Sequence, residues 1–293
     1  MSTPDLTIIQ ADNLAWLETI DPDSFDLIYI DPPFNTGRPR KLQRLQTERD
    51  PTGNRTGFGG RRYRTRALGS MSYSDRYDDY LHFLAPRLEH AKRVLTPTGS
   101  LFVHLDPRES HYVKVYLDEL FGRASFMNEI VWSYDYGARS RKRWSTKHDV
   151  ILWYAQDPER PTYLYEEIDR IPYMAPKLVG EEKAARGKTP TDVWWNTIVS
   201  PTGKERTGYP TQKPLTVLSR IVRVHSRPGE RVLDFFAGSG TTGEAAWRAG
   251  RSCVLVDSEP DAIGVMRRRL AFAEPRILAP GGELSRAPEH PPG

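Results

Sequence analysis

The stretch from Arg231 to Asp257 constrains the fold most. Arg231-Val232-Leu233 is strand-like and runs into Asp234-Phe235-Phe236-Ala237-Gly238-Ser239-Gly240-Thr241-Thr242, followed by an Ala-rich helical run from Gly243 to Ala249. A strand, a Gly-x-Gly turn and a helix make a nucleotide-type cradle. Glycine lets the backbone approach a ligand closely, and a helix N-terminus favours the ligand's negative end. A second apolar run, Cys253-Val254-Leu255-Val256, ends at Asp257, where an acid is placed to accept both ribose hydroxyls of an adenosine. The turn carries no lysine after its second glycine, so it does not fit a kinase-like phosphate loop.

A second constraint lies two hundred residues earlier. The apolar run Phe25-Asp26-Leu27-Ile28-Tyr29-Ile30 reads as a buried strand, and Asp31-Pro32-Pro33-Phe34 follows it directly. Consecutive prolines donate no ladder hydrogen bonds, so the strand stops where the carboxylate stands. The Asp31 carboxylate and the Pro32 carbonyl are then neighbouring acceptors with the flat Phe34 ring beside them. This arrangement suits a planar ring bearing an NH2 group, as in adenine or cytosine. Taken alone, the same four residues also suit an Asx-type turn leaving a strand.

The Asp-Pro-Pro-Phe box, the Phe-x-Gly-x-Gly box and the intervening Tyr209-Pro210-Thr211-Gln212-Lys213-Pro214 together resemble the S-adenosylmethionine-dependent DNA amino-methyltransferases. With the catalytic box first and the cofactor box near the C-terminus, the chain resembles the beta group, over roughly residues 6 to 272. The resemblance implies an α/β fold, a doubly wound, mostly parallel sheet of Rossmann-like type with permuted motif order and an inserted target-recognition region. It implies that Asp31, Pro32, Pro33 and Phe34 are catalytic. It also implies that Asp12, Thr211, Lys213, Asp234, Phe236, Gly238, Gly240, Thr241 and Asp257 hold S-adenosylmethionine, with Thr211 and Lys213 near its methionine carboxylate. Asp12 reads also as the cap of a helix beginning at Leu14, and the reading at the cofactor adenine that the resemblance implies is preferred. Double-stranded DNA is the implied substrate, with the base flipped out against Phe34. Asp at the first position favours adenine N6 over cytosine N4, and Phe34 departs from the commoner Tyr. A homodimer and a cognate restriction enzyme are partners the resemblance leaves open. The competing classes are a cytosine-N4 enzyme, an RNA or protein-glutamine methyltransferase, a catalytically silent DNA-binding module and a nucleotide-dependent oxidoreductase. The last of these expects a full Gly-x-Gly-x-x-Gly pattern, which the turn lacks.

At 293 residues the chain has room for one large α/β core with an insertion, and its formal net charge of +4 permits a nucleic-acid partner. One cysteine excludes a disulfide framework and, with scattered histidines, argues against a structural zinc site, so no metal is expected. No apolar run approaches the ~20 residues of a membrane span, and Met-Ser-Thr-Pro-Asp is no signal pattern. The cytoplasm of a bacterial, archaeal or phage-infected cell is the expected compartment.

The expected organisation is a catalytic half at 1–154 with a mobile basic loop at 35–76, a target-recognition insertion at 155–208, a cofactor-binding half at 209–274 and a disordered tail at 275–293. Ten Lys or Arg against two acids between Arg38 and Arg66, with little aliphatic periodicity, carry the loop expectation. Phosphate contact by that segment predicts DNA binding that weakens steeply with salt, measured as the slope of log affinity against log salt. A helix is expected from Leu81 to Leu95 with a kink or break at Pro86, and Thr96-Pro97-Thr98-Gly99 ends it. Tyr134 to Lys147 mixes cations with aromatics between two strands, which fits a strand-separating or phosphate-gripping surface. His104 and His148 read as core or edge residues, because alkylating an amine from a sulfonium needs no imidazole. Prolines break up 155–208, where base contacts are expected from Lys, Arg, Asn or Gln.

Overall fold

The computed structural model describes residues 3–34, 40–49, 51–52, 55–56, 62–73, 79–134, 139–200 and 203–278. In chain order the elements are β1 (Leu6–Gln10), α1 (Asn13–Glu18), β2 (Phe25–Ile30), β3 (Arg40–Arg49), β4 (Arg55–Thr56), β5 (Arg62–Tyr73), α2 (Tyr80–Val94), β6 (Leu95–Leu105), α3 (Ser110–Phe121), β7 (Phe126–Ser133) and β8 (His148–Ala155). There follow α4 (Glu181–Arg186), β9 (Val193–Trp195), α5 (Leu215–His225), β10 (Arg231–Asp234), α6 (Thr241–Arg248), β11 (Ser252–Asp257), α7 (Pro260–Arg269) and β12 (Arg276–Leu278). Nine strands form one sheet in the order β12-β1-β11-β10-β2-β6-β8-β7-β9. From β12 to β6 the neighbours are parallel, and β8 runs antiparallel to both β6 and β7.

Side chains alternate across a strand, so each strand feeds two cores. Leu27 and Tyr29 of β2 pack with Val217, Leu218 and Ile221 of α5 and Met266 of α7. Phe25, Ile28 and Ile30 face the other way, onto Leu17 of α1, Leu84 and Leu88 of α2 and Val113 of α3. Helices thus cover both faces, which is the doubly wound arrangement the alternation predicts. The pairing of β10 with β2 brings elements two hundred residues apart to adjacent positions at one sheet edge.

Four expectations change. Within 35–76, β3, β5 and β4 build a separate three-stranded antiparallel sheet, so the segment is not the irregular loop its composition predicts. Residues 35–39, 50, 53–54, 57–61 and 74–78 lie outside the described residues, as does the question of mobility. Pro86 does not break α2. The helix runs unbroken from Tyr80 to Val94, and the Arg87 guanidinium adds a bond to the Phe83 carbonyl. Thr96 to Gly99 belong to β6, where the register to β2 shifts between Phe25–Leu95 and Leu27–Ser100. The tail expected from residue 275 begins with β12, which pairs with β1, and 279–293 lie outside the described residues.

Candidate active site

Pairing of Val232 with Leu27 and Leu233 with Ile28 sets the ends of β10 and β2 side by side, so Asp234 and Asp31 leave the sheet together. Here a cavity of about 460 Å3 opens. Asp12, Asp31, Pro32, Pro33, Phe34, Thr211, Lys213, Asp234, Phe236, Gly238, Thr241 and Asp257 all line it. Sequence reasoning named each of these, from three separated boxes and from the acids after two further strands, Asp12 and Asp257.

Gly240 does not line the cavity. It is the N-cap of α6 at φ +74, and a Cβ there would meet Met266 at 2.9 Å, so it serves helix packing. Gly238 does line the cavity. Its φ is +48, a Cβ would meet the Tyr209 ring at 3.0 Å, and its amide donates to Asp257 Oδ2 at 2.8 Å. Asp257 Oδ1 accepts from the Glu259 amide at 3.0 Å. Both oxygens of the acid expected to meet a ribose therefore also fix the turns around it. Asp12 caps α1 through the Ala15 amide at 3.0 Å and lines the cavity as well, so both of its expected roles are compatible.

Lys213 departs from expectation. Instead of standing open toward a carboxylate ligand, its ammonium group donates to Asp31 Oδ2 and lies 4.7 Å from the Phe34 ring centroid. Asp31 Oδ1 is buried with no hydrogen-bond partner among the described residues. One oxygen of the carboxylate is thus held, and the other is an unused acceptor at the cavity wall. Thr211 beside it has φ +56, a left-handed conformation that costs about 1–3 kcal/mol in a non-glycine residue. The Gln212 side chain supports that turn, accepting from Thr207 N at 2.9 Å and donating to the Glu205 carbonyl at 2.8 Å.

Several cavity residues were not anticipated. Arg87 of α2 donates to Asn13 Oδ1 at 2.6 Å and lies 4.1 Å from the centroid of the Phe83 ring, which in turn packs against Phe236. Its signal was an arginine on a helix face whose other members are apolar. Tyr29 reads as a core strand residue, yet its hydroxyl joins a buried chain: Tyr29 OH to His104 Nδ1 at 2.7 Å, His104 Nε2 to Asp149 Oδ2 at 3.1 Å and Tyr134 OH to Asp149 Oδ1 at 3.0 Å. Burial, reinforced by Lys213, lowers the His104 pKa and keeps the ring neutral. His104 is buried as expected, but it is a linker rather than an inert core residue. A second cavity of about 350 Å3 lies on the far side of this chain, walled by Trp132, Tyr134, Asp149, Asp106 and Arg206. It shares Phe34, Tyr209, Thr211 and Lys213 with the first.

Acids crowd the first cavity. Burial raises the Asp234 pKa to about 7, against hydrogen bonds from Thr242 and the Phe236 amide, and nearby Asp31 and Asp257 push in the same direction. Burial likewise raises Asp257 to about 6. A folded-state pKa above the unfolded value means that the stability a group contributes is present at low pH and lost as pH rises through the folded value. Asp234→Asn, a neutral isostere, is therefore expected to raise the melting temperature at pH 8. The gain corresponds to at most about 4 kcal/mol and should vanish near pH 4. Melting curves of both proteins across pH 4 to 8 check it, and a pH-independent difference would contradict the role of ionisation.

The model of a family described as DNA methylase, N6_N4_Mtase, matches residues 25–267. Among similar proteins, the type II methyltransferase M.HpaI of Haemophilus parainfluenzae is 27% identical over 266 residues, covering 91% of this chain and 74% of that protein. The DNA adenine methyltransferase YhdJ of Escherichia coli K12 is 28% identical over 280 residues, covering 91% and 83%. Among solved structures, the M1.HpyAVI complex with SAM matches with a TM-score of 0.55 at 19% identity, over 90% of this chain and 98% of that one. The cytosine-N4-specific PvuII DNA methyltransferase matches with a TM-score of 0.63 at 15% identity, over 96% and 97%. The fold is thus that of known methyltransferases, and with the family model spanning both the catalytic and the cofactor boxes, this chain belongs to the N6/N4 family of DNA amino-methyltransferases.

Proposed function

We propose that the chain methylates the exocyclic N6 of adenine in double-stranded DNA, with S-adenosylmethionine as donor. The observation that carries this is the divided Asp31 carboxylate, with Oδ2 on Lys213 and Oδ1 buried and unpartnered beside Phe34. An amine N–H supplies the missing partner.

The cavity suits the cofactor in size and charge. Its volume falls within the ~300–1,000 Å3 usual for small-molecule sites. Asp31 and Asp257 raise the cost of charge on buried Asp234, and a ligand carrying a sulfonium and an ammonium relieves it. When bound, S-adenosylmethionine supplies an electrophilic methyl group on a cationic sulfur. Gly238 keeps the turn open to it, Asp257 accepts ribose hydroxyls, and Phe236 and Asp12 flank the adenosine end. Asp257→Ala is expected to weaken cofactor binding by about 10- to 100-fold, as removal of a charged hydrogen-bonding partner does. Calorimetric titration with S-adenosylmethionine measures it, and unchanged affinity removes the ribose role.

In the reaction, Asp31 Oδ1 and the Pro32 carbonyl accept the two amine hydrogens. The nitrogen lone pair, otherwise delocalised into the ring, is thereby turned toward the methyl carbon. Lys213 holds the carboxylate in that orientation, and Phe34 stacks on the extruded ring. The second cavity, which meets the first at Phe34 and Lys213, receives the base. Residues 155–208 supply target recognition, and 209–274 with the start of the chain supply the cofactor half.

Adenine rather than cytosine rests on Asp at the first position of the box, and the Escherichia coli relative is named as an adenine methyltransferase. The test is incubation with unmethylated DNA and labelled S-adenosylmethionine, then nuclease digestion and mass spectrometry of the nucleosides. N6-methyladenine is expected. N4-methylcytosine would keep the mechanism and overturn the base assignment, and no methylated nucleoside would overturn both.

A further inference from the structure

Trp144 is 97% exposed, on a surface where a tryptophan is ordinarily mostly covered. It sits at the end of a tight bend, and that bend is closed by its own hydroxyls. The Ser140 amide donates to Ser145 Oγ at 2.7 Å, while Ser140 Oγ accepts from the amides of Lys142 and Arg143 at 3.2 and 3.3 Å. The bend therefore presents Arg141, Lys142, Arg143 and Trp144 outward as one exposed tip of three cations and an indole.

The tip is mounted on the base cavity. The connection leaves the end of β7 and enters the start of β8, closed at its root by the Tyr134 amide on the Lys147 carbonyl at 2.9 Å. Trp132, Tyr134 and Asp149, at those same strand ends, wall the second cavity. Residues 135–138 of the connection lie outside the described residues. A base drawn into the second cavity leaves a gap in the duplex, and the gap costs stacking unless a flat apolar group fills it. Cations beside the indole match the phosphates flanking that gap.

We propose that Trp144 enters the duplex at the position vacated by the extruded base, with Arg141, Lys142 and Arg143 gripping the adjacent phosphates. This rests on the DNA methylation proposed above and adds which side chain makes base extrusion affordable in a paired duplex.

The test uses the full chain. The methylated position is first mapped in genomic DNA treated with the wild-type protein, then placed in two synthetic duplexes, one fully paired and one with an abasic site opposite the target base. Trp144→Ala should lower kcat/KM on the paired duplex by about 10- to 100-fold, the scale of one lost base–aromatic stack. On the abasic-opposed duplex, where extrusion is already cheap, the loss should shrink to about threefold or less. Trp144→Phe should keep most activity on both. An equal loss on the two duplexes, no loss on the paired one, or a change in oligomeric state accounting for the loss would overturn the proposal. Cofactor affinity and melting temperature should match wild type, since the side chain is exposed. Failure of the underlying reading shows separately, as absence of methylated DNA with the wild-type protein.

Discussion

Asp31→Asn is expected to lower kcat by at least about 10²–10³-fold while cofactor affinity changes by no more than about threefold, the loss typical when one preorganised charge-stabilising group is removed. The reason lies in Lys213. An asparagine has one carbonyl oxygen and one NH2, and the neighbouring ammonium can only donate, so the oxygen turns toward Lys213. The NH2 then occupies the place of Oδ1 and faces the substrate amine, donor against donor. Asp31→Ala should be equally inactive but less stable. Lys213, only 7% exposed, would lose its partner, and a stranded buried charge costs about 3–5 kcal/mol. Single-turnover rates and calorimetric titration of both variants distinguish the effects. Retention of more than about a tenth of wild-type kcat by Asp31→Asn would show that the carboxylate does not orient the amine.

His104→Leu is expected to destabilise the protein by about 3–5 kcal/mol, a drop of about 5–8 °C in melting temperature for a chain of this size. The imidazole carries a proton on Nε2 for Asp149 and accepts at Nδ1 from Tyr29, and it is fully buried. Leucine fills the space but leaves the Tyr29 hydroxyl unpaired and Asp149 with Tyr134 alone. In the native protein, burial pushes the Asp149 carboxyl up, but the hydrogen bond from His104 first, then the Lys213 charge and the hydrogen bond from Tyr134, bring it net below the ordinary value. A depressed carboxylate pKa stabilises above the unfolded value, and that contribution is lost as pH falls through the folded one. Losing His104 removes this contribution, so the deficit of His104→Leu should be full from pH 7 down to about 4 and shrink only as pH falls below the ordinary carboxylate pKa. Adding Asp149→Asn to His104→Leu removes the stranded charge and should recover part of the loss at pH 7. Thermal melts of the two variants check both signs. A pH-independent deficit would assign it to packing alone.

The catalytic and cofactor boxes were legible because they are local. Asp31-Pro32-Pro33 ends a strand whatever surrounds it, since proline has no N–H to give, and Gly238 lies at φ +48, which its neighbours do not adopt cheaply. Segment 35–76 misled because composition weighs against a buried core, whereas β3 and β5 are held by backbone ladder bonds that charged residues can also make. Lys213 has a partner that no local pattern shows, the Asp31 carboxylate from 182 residues away. Tyr29 and His104 carried no local signal, and Arg87 only that of a charge on an apolar helix face, because each acts through a partner at least 74 positions distant.

By itself the sequence determined the strand ends, the glycine turn, the acids at β2, β10 and β11 and the alternation that winds helices onto both faces. These follow from backbone chemistry and hydrophobic period, which are read within a few residues. Only the tertiary structure decided that the Asp31 carboxylate pairs one oxygen with Lys213 and leaves the other buried without a partner among the described residues, that a buried Tyr–His–Asp chain separates two cavities, and that an exposed tryptophan stands on the strands walling the second. Those are pairings across the sheet and between loops, set by which strands become neighbours, and no local pattern encodes a neighbour.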